Sequence, residues 1–247
     1  MRILLCGCTG RMGRAVAAKA AGEHTVVAGI DTREAELTFP VYAHPADCGE
    51  AADVIIDFSS PAALAEELPY AVEKGLPLVL CTTGLSSEQM ADVRKAAESI
   101  PVFFSGNMSY GVSVLAALTK KAAALLGDSF DIEILEMHHN QKLDAPSGTA
   151  VMLAKAAEAG LDYTPTYVYD RESRRQKRDP HEIGMSSIRG GNIVGEHQVY
   201  FAGQDETIIL THRAGSREVF AEGALRAAAF LQGKPAGMYS MEDMLEL

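Results

Sequence analysis

The first 31 residues contain a strand, a glycine-rich turn, a helix and a second strand, and this order constrains the fold more than any other feature. Arg2 to Cys6 is a short apolar strand, which glycines at positions 7, 10 and 13 bring to an end. An alanine-rich run compatible with a helix follows to about Ala21, and a second strand, Thr25 to Ile30, leads to Asp31. This order predicts a βαβ unit of parallel strands at the start of an α/β domain.

The glycine turn has the properties of a loop that binds phosphate groups. Glycines let the backbone approach a pyrophosphate closely, and the start of a helix favours negative charge. Asp31 lies 18 residues beyond Gly13, where a carboxylate can accept hydrogen bonds from an adenosine ribose. The spacing is GxxGxxG and not the stricter GxGxxG, so spacing alone also fits a turn without a nucleotide. The flanking strand and helix favour dinucleotide binding by Gly7, Cys8, Thr9, Gly10, Arg11, Met12 and Asp31.

The charges near this turn do not decide between NADPH and NADH as the cofactor. Arg11, Arg14 and Arg33 could neutralise the 2′-phosphate of NADPH, whereas Asp31 would repel it. We therefore expect NADPH or NADH as the cofactor without a choice between them.

Strand and helix patterns continue to alternate up to residue 109. Further strands are predicted at Val54 to Phe58, Leu78 to Cys81 and Val102 to Phe104, with helical runs between them. The alternation predicts a Rossmann-like, doubly wound parallel sheet. In such a sheet the loops after the strands line the ligand crevice, and here they are small and polar. These loops are Ser59-Ser60-Pro61, Thr82-Thr83-Gly84 and Ser105-Gly106-Asn107.

Residues 110 to 218 follow a different pattern. A helical run, Gly111 to Leu126, precedes a strand, and three strand-like runs later follow each other directly. These runs are Ile183 to Arg189, Asn192 to Phe201 and Glu206 to Arg213, and Gly190-Gly191 and Gly203-Gln204-Asp205 are expected to form hairpin turns. The pattern predicts a second, α+β domain built on an open mixed sheet, whose exposed face favours oligomerisation.

The segment 133–150, EILEMHHNQKLDAPSGTA, gathers the residues with the most chemistry. A strand-like run from Ile132 to Met137 leads into His138 and His139. Histidine is the side chain most easily poised to exchange a proton near neutral pH. Lys142 offers a fixed positive charge for an anionic substrate or a developing negative charge.

A predicted helix start completes this segment. Ser147 suits an N-cap, and the N–H groups of Gly148 and Thr149 would then form an anion site. An acid or base, a cation and an anion site indicate a pocket for a carboxylated substrate. Simpler interpretations exist: a histidine pair is often only a polar surface or core feature, and Pro-Ser-Gly-Thr often only starts a helix. Zinc is not expected, because neighbouring residues on a strand point to opposite faces.

The whole string resembles the signature of the 4-hydroxy-tetrahydrodipicolinate reductases, also called dihydrodipicolinate reductases, of the diaminopimelate route to lysine. Residues 136 to 150, EMHHNQKLDAPSGTA, follow that signature in order. Gly-Arg-Met-Gly in the first turn is similar to the family, as are Cys81 to Gly84 and Gly106 to Ser109, which the family usually writes GTTG and (A/P)NFS. Cysteine at position 81 and methionine at position 108 depart from that pattern, although both are compact and apolar. Only residues 32–52 carry no motif that can be placed.

The resemblance implies a reductase that takes a hydride from NADPH or NADH and acts on a ring with two carboxylates. It implies a homotetramer in which residues 1–109, completed by 219–247, bind the dinucleotide and residues 110–218 bind the substrate and form the oligomer. Two rival functions remain: another two-domain NAD(P)-dependent dehydrogenase, and a non-catalytic regulator that senses NAD(P). The implied roles are proton exchange for His138 and Lys142, substrate contact for His139, Gly148 and Thr149, and cofactor contact for Cys81, Thr82, Thr83, Ser105, Gly106, Asn107 and Met108.

Composition limits the partners. A net charge of −11 argues against nucleic acid or an anionic membrane as the main partner. No apolar run is long enough for a membrane span, and the four cysteines have no disulfide or zinc spacing. We therefore expect Cys6 and Cys8 to be small buried thiols and the protein to be cytoplasmic.

One basic stretch remains. The polar run from Tyr163 to Pro180 is expected to be a solvated, mobile loop, or else an arginine-rich lid or subunit contact. Its basic residues are Arg171, Arg174, Arg175, Lys177 and Arg178.

Overall fold

A computed structural model describes residues 1–246 of the chain, and these residues form two compact units. Unit 1 comprises Met1–Tyr110 and the chain from Arg217 onward, and unit 2 comprises Gly111–Ser216. Position 247, which the predicted first domain includes, lies outside the described residues. The strands of unit 1 are β1 Arg2–Cys6, β2 Thr25–Ile30, β3 Val41–Tyr42, β4 Val54–Asp57, β5 Leu78–Leu80, β6 Pro101–Phe104 and β12 Gly237–Tyr239.

Helices alternate with these strands, as the sequence predicts. They are α1 Arg11–Ala20, α2 Leu64–Lys74, α3 Ser87–Ala96, α6 Glu218–Leu231 and α7 Met241–Leu245. The strands form one seven-stranded sheet in the order β12-β6-β5-β4-β1-β2-β3, and every pair in it is parallel. The prediction of a Rossmann-like parallel sheet is confirmed. The loops that follow these strands therefore lie at one edge, and the strand order reverses direction between β1 and β4.

Helix α6 completes the core of unit 1, although it lies far from the other elements in sequence. It packs against α1 and over β4, β5 and β6. The residues at its centre are small, and Gly223 shows why: a Cβ atom there would lie 1.7 Å from the backbone oxygen of Met108. This close approach is possible only with glycine, so α6 fits tightly against the chain after β6.

Unit 2 contains a five-stranded mixed sheet covered by helices on one face. Its helices are α4 Tyr110–Leu126, which starts at the boundary, and α5 Gly148–Glu158. Its strands, in the order β11-β10-β7-β9-β8, are β7 Asp131–His138, β8 Thr166–Val168, β9 Glu182–Arg189, β10 Gly195–Ala202 and β11 Thr207–Ala214. The predicted open mixed sheet is confirmed.

One predicted turn is wrong. Strands β10 and β11 do form an antiparallel hairpin around Gly203, but Gly190 and Gly191 do not connect two neighbouring strands. Strand β7 lies between β9 and β10, parallel to the first and antiparallel to the second. Strand β7 therefore forms backbone hydrogen bonds with a strand on each side, and it is the central strand of the sheet.

The basic stretch after α5 is largely exposed, as predicted for a solvated loop, but its main arginines also pair with the sheet. It contributes strand β8, and Arg171 forms ion pairs with Glu133 and with the buried Glu182. Arg178 donates to the backbone oxygens of Ile132 and Glu182, at 3.1 and 2.6 Å. These contacts hold the segment against β7 and β9. They also supply the positive charge that the buried carboxylate of Glu182 needs as a partner.

The prediction of buried thiols at Cys6 and Cys8 agrees with the structure, and Cys48 and Cys81 are buried and free as well. No helix among residues 1–246 is long and apolar enough to cross a membrane.

Candidate active site

His138, the predicted proton-exchanging residue, lies at the end of the central strand of unit 2. Alternate residues of β7 point to one face, and this face carries Ile132 and Ile134 into the core. The same face continues with Glu136, which is fully buried, and ends with His138, whose side chain is 12% exposed. A carboxylate therefore occupies the position where the strand pattern would place a third apolar residue.

Glu136 is the centre of a dense hydrogen-bond network. Arg189, on the neighbouring strand β9, donates to both of its oxygens at 2.7 and 2.9 Å, and the backbone N–H of Ser147 donates at 3.2 Å. Burial alone would raise the pKa of Glu136. Hydrogen bonds from Arg189, Ser187 and His138 outweigh this and lower the pKa to about 2. Glu136 is therefore an ionised carboxylate at any pH where the protein works.

This carboxylate fixes the orientation of His138. The Nδ1 atom of His138 lies 2.5 Å from Oε2 of Glu136, so Nδ1–H is the donor and Nε2 carries the free lone pair. Burial lowers the pKa of His138 below its ordinary value, although Glu136 opposes that change. The space beside Nε2 is kept open by Gly195, where a Cβ atom would lie 3.1 Å from Nε2.

Lys142 lies close to this histidine. Its positive charge contributes, after burial, to the lowered pKa of His138. Its Nζ atom pairs with Asp144 at 2.8 Å, and the backbone oxygen of Asp144 accepts a hydrogen bond from Arg189 at 2.6 Å. Lys142 and His138 are thus linked through the same arginine. His139, at the following position, is partly exposed, and its carbonyl accepts from the backbone N–H of Lys142 at 3.2 Å.

The helix after this loop starts where the sequence predicts. Ser147 is the N-cap of α5, and its Oγ accepts from the backbone N–H of Ala150 at 3.2 Å. Gly148 and Thr149 form the first turn, where the helix dipole favours an anion.

A second histidine supports this helix start from β10. His197 Nε2 lies 3.0 Å from Ser147 Oγ, and the ring packs edge-on against His138 with centroids 5.1 Å apart. Burial, followed by the charge of His138, lowers the pKa of His197 to about 4. His197 is therefore a neutral group beside His138 at neutral pH.

A separate cavity of about 410 Å³ opens at the loop edge of the unit 1 sheet. It lies at the end of β1, β2 and β4, which is where the strand order reverses. Gly7 and Gly10 of the glycine turn line it, and Gly13 lets α1 start close behind, since a Cβ there would lie 2.3 Å from the Gly7 oxygen. Asp31 and Arg33 also line the cavity. This shape and these groups fit the adenosine and pyrophosphate part of a dinucleotide.

Asp31 is held by neighbours on both of its oxygens. Oδ2 accepts from the backbone N–H and the hydroxyl of Thr9, at 3.0 and 2.6 Å. Oδ1 accepts from the backbone N–H and Nε of Arg33, at 3.0 and 3.3 Å. Burial opposes ionisation of Asp31, but these bonds from Thr9 and Arg33 prevail and lower its pKa. The predicted ribose acceptor is therefore an oriented carboxylate.

The remaining predicted cofactor residues belong to the loops at the same edge but do not line this cavity. The side chains of Cys8, Cys81 and Met108 are buried in the apolar core of unit 1, so only their backbones can meet a ligand. The others range from exposed to buried: Arg11, Thr83 and Gly106 are exposed, Met12, Ser105 and Asn107 are intermediate, and Thr82 is buried.

Several residues of both sites could not be found from the sequence. Arg189 lies 53 positions beyond Glu136, and His197 lies 50 positions beyond Ser147. Only the pairing of β7 with β9 and β10 brings them together, and no local pattern indicates that pairing. In unit 1 the cavity is also lined by residues from segments without a recognised motif. These are Thr32, Ala43, His44, Pro45, Ala62, Ala63, Glu66 and Glu67.

A parallel dinucleotide-type sheet joined to a second unit with a histidine–carboxylate site defines the class of two-unit NAD(P)-dependent oxidoreductases. Two family models cover the chain: "Dihydrodipicolinate reductase, N-terminus" matches residues 1–108, and "Dihydrodipicolinate reductase, C-terminus" matches residues 111–245. The chain therefore belongs to the dihydrodipicolinate reductase family, and the resemblance seen in the sequence is confirmed.

Individual relatives agree with this assignment over their full length. The 4-hydroxy-tetrahydrodipicolinate reductase of Caldanaerobacter subterraneus subsp. tengcongensis is 48% identical, with 100% of this chain and 98% of that protein covered. The reductase of the same name from Clostridium tetani is 47% identical, with 99% and 97% covered. Among solved structures, the dipicolinate-bound dihydrodipicolinate reductase from Paenisporosarcina sp. TG-14 has the same fold, with a TM-score of 0.81, 22% identity and 98% of each chain covered.

Proposed function

We propose that this chain catalyses the NAD(P)H-dependent reduction of 4-hydroxy-tetrahydrodipicolinate, by way of dihydrodipicolinate, to tetrahydrodipicolinate. This is a step of the diaminopimelate route to lysine. The observation that carries the proposal is the bond from His138 Nδ1 to the buried, ionised Glu136, which leaves Nε2 facing the space beside Gly195. The full-length relatives named 4-hydroxy-tetrahydrodipicolinate reductase support the choice of substrate.

The reaction requires a proton as well as a hydride. The nicotinamide cofactor supplies the hydride when bound. Addition to a carbon conjugated with an imine places negative charge on the ring nitrogen and its neighbours, so an acid must quench that charge. His138 is the proposed proton donor at Nε2, and Lys142 stabilises the charge and acts as a second donor. Glu136 favours the protonated form of His138, because it already accepts the Nδ1–H.

The substrate carboxylates match two features of unit 2. The first turn of α5, at Gly148 and Thr149, would bind one carboxylate, because the helix dipole is positive there. His139 is the proposed contact for the rest of the substrate. Ser147 supports this arrangement from behind, since it caps α5 and also bonds His197.

Both NADPH and NADH are proposed as cofactors. Asp31 can accept from a ribose hydroxyl once Arg33 turns away, and the side chain of Arg33 is 68% exposed and free to do so. The same guanidinium can then pair with a 2′-phosphate. Arg33 would thus serve NADPH directly, whereas NADH would use Asp31.

Replacement of Arg33 by alanine tests this division. We expect the KM for NADPH to rise about tenfold, because one charge-assisted hydrogen bond to the 2′-phosphate is lost. The KM for NADH should change less than about twofold. Steady-state kinetics with both cofactors measure the two KM values. The matched control is Arg94→Ala, which removes an exposed arginine on α3. Equal losses with both cofactors would contradict the role given to Arg33.

The activity itself is tested by the loss of nicotinamide absorbance. Purified protein is mixed with NADPH or NADH and with substrate made in place by a dihydrodipicolinate synthase from pyruvate and aspartate semialdehyde. Turnover that needs the synthase supports the reductase. Tight nucleotide binding without turnover would instead favour the non-catalytic regulator.

A homotetramer in the cytoplasm is the proposed working form. The sheet of unit 2 exposes the large apolar side chains of Ile188 and Ile209, which are 44% and 49% exposed and lie on the same face. A face of this kind is suited to contact with a second copy of the chain. Light scattering coupled to size-exclusion chromatography measures the mass.

A further inference from the structure

Two buried carboxyl groups, Glu67 in the wall of the unit 1 cavity and Asp57 behind the lining residue Ser59, have no role in the chemistry described above. Asp57 is the last residue of β4 and is fully buried, and Glu67, in the first turn of α2, is 1% exposed. Asp57 Oδ2 and Glu67 Oε2 form no hydrogen bond of good geometry with a donor among residues 1–246, although the hydroxyl of Thr82 lies near Asp57 and the thiol of Cys6 lies near Glu67. Buried carboxyl oxygens without a donor are costly, so these two atoms require an explanation.

The two groups interact with each other, and one proton shared between them would satisfy both atoms. They lie within hydrogen-bonding reach, with Glu67 as the donor and Asp57 as the acceptor. Two carboxylates so close inside a protein would repel, whereas a carboxyl and a carboxylate attract through the proton between them. Burial, followed by the charge of Asp57, raises the pKa of Glu67 to about 8, and burial also raises the pKa of Asp57.

The other oxygens of the pair hold one short segment of the cavity wall. The backbone N–H of Ser59 donates to Asp57 Oδ1 at 2.7 Å, and the hydroxyl of Ser59 donates to Glu67 Oε1 at 3.1 Å. Phe58, Ser59 and Ser60 all line the cavity. The pair therefore fixes both the backbone and the side chain of the central residue.

This segment also touches the glycine turn. A Cβ atom at Gly7 would lie 2.4 Å from the backbone oxygen of Phe58 and 2.9 Å from the Cα of Ser59. Gly7 has a φ of 72°, which only glycine adopts without strain. Because the two backbones are in such close contact, a shift of Ser59 must displace the turn that faces the pyrophosphate.

We propose that Asp57 and Glu67 are positioning residues that share one proton, hold residues 58–60 against the glycine turn, and thereby make dinucleotide binding depend on that proton. The inference rests on the proposed function of the cavity as a nucleotide site. When the proton is lost, two buried anions repel each other, Ser59 loses its fixed position, and a second negative charge lies near the anionic cofactor.

The neighbouring titratable groups do not account for the same pH window. The thiols of Cys6, on β1, and Cys81, after β5, face the pair, and burial raises the pKa of both well above the usual range. They therefore stay neutral. Across the cavity, the hydrogen bond to Glu66 raises the pKa of His44. His44 is present both in the unaltered protein and in any variant of Glu67. A comparison of the two therefore cancels the effect of His44 on binding.

Titration calorimetry with NADH and NADPH on the full-length protein tests the proposal. From pH 7 to pH 9 the Kd should rise about tenfold, as expected for one linked proton with a pKa of about 8. At pH 8.5, binding measured in two buffers of different ionisation enthalpy should show uptake of up to about one proton. A structural role without proton linkage would not produce this uptake.

Glu67→Gln is the decisive variant, because an amide can still donate to Asp57 and accept from Ser59. It should bind with a Kd that no longer rises between pH 7 and pH 9 and without proton uptake. Glu73→Gln, an exposed glutamate on the same helix, should keep the full pH dependence. If Glu67→Gln does not fold, the pH dependence of the Kd is measured on Asp57→Asn, and proton uptake is measured on the unaltered protein.

The outcomes separate this inference from the proposed function. Failure of the unaltered protein to bind either dinucleotide at pH 7 would refute the nucleotide site and the inference together. Binding at pH 7 that stays constant to pH 9, or a rise in Kd that persists in Glu67→Gln, would overturn the inference alone.

Discussion

Replacement of His138 by glutamine is expected to lower kcat about 100- to 10,000-fold, which is the usual contribution of a positioned acid or base. Glutamine can still donate to Glu136, so the hydrogen-bond network is retained, but it cannot deliver a proton. The Kd for NADH should stay the same, because the cavity residues belong to unit 1. Turnover is measured with both cofactors, and nucleotide affinity is measured in parallel.

His181→Gln is the matched control for this variant. His181 is an exposed histidine of the same unit, 3.8 Å from Asp128, and its replacement should leave turnover within about twofold, as for other surface positions. A His138→Gln protein that keeps more than about a tenth of the activity would remove His138 from the proton transfer.

The pH profile adds a second readout. Burial lowers the pKa of His138, so the free protein holds it in the neutral form at neutral pH. If His138 is the donor, kcat/KM should fall as the pH rises through this lowered pKa. On kcat the same titration should move to higher pH, because the bound carboxylates stabilise the imidazolium. Both titrations should vanish in His138→Gln.

Replacement of Glu136 by alanine is expected to lower the free energy of unfolding by about 3–5 kcal/mol, as when one partner of a buried ion pair is removed. Arg189, whose side chain is only 20% exposed, would lose its carboxylate, and so would the N–H of Ser147. His138 would also lose the group that fixes its ring, so turnover should fall even where the protein is folded. Urea unfolding at neutral pH measures the first effect.

Two comparisons make this prediction specific. Glu73→Ala removes a carboxylate that is 72% exposed and lies 3.1 Å from the exposed Lys74, and it should change stability by less than about 1 kcal/mol. The double variant Glu136→Leu, Arg189→Met removes both charges of the pair and should recover much of the stability but none of the turnover. Equal stability of Glu136→Ala and the unaltered protein would contradict a buried pair.

Local pattern is enough to predict the elements that depend on their own residues. The bounds of β1 and β2 agree with the prediction to the residue, because apolar runs end at a glycine turn and at Asp31. The Ser147 cap is also correct, since it depends only on its own helix. The hairpin at Gly190 fails because the turn residues do not reveal that β7 comes between the two strands.

The parts of the sites that could not be predicted depend on distant residues. The alternation of β7 indicates that the side chain of Glu136 points into the core, but not that Arg189 compensates its charge. Likewise, nothing in the sequence distinguishes Ser59 from an ordinary loop residue, and only the position of α2 beside β4 brings Glu67 to it. The sequence also does not indicate the ion pairs of Arg171, because its partners Glu133 and Glu182 lie on two other strands.

The packing of α6 against α1 has a consequence for the order in which the newly made chain can fold. Roughly 200 residues separate the two helices, and at about 5–20 residues per second the ribosome needs about 10–40 s to make them. During that time the face of α1 that α6 covers has no partner, whereas the continuous segment of unit 2 has been made in full before α6 begins. Nascent chains should therefore acquire the second unit first and close the first one last.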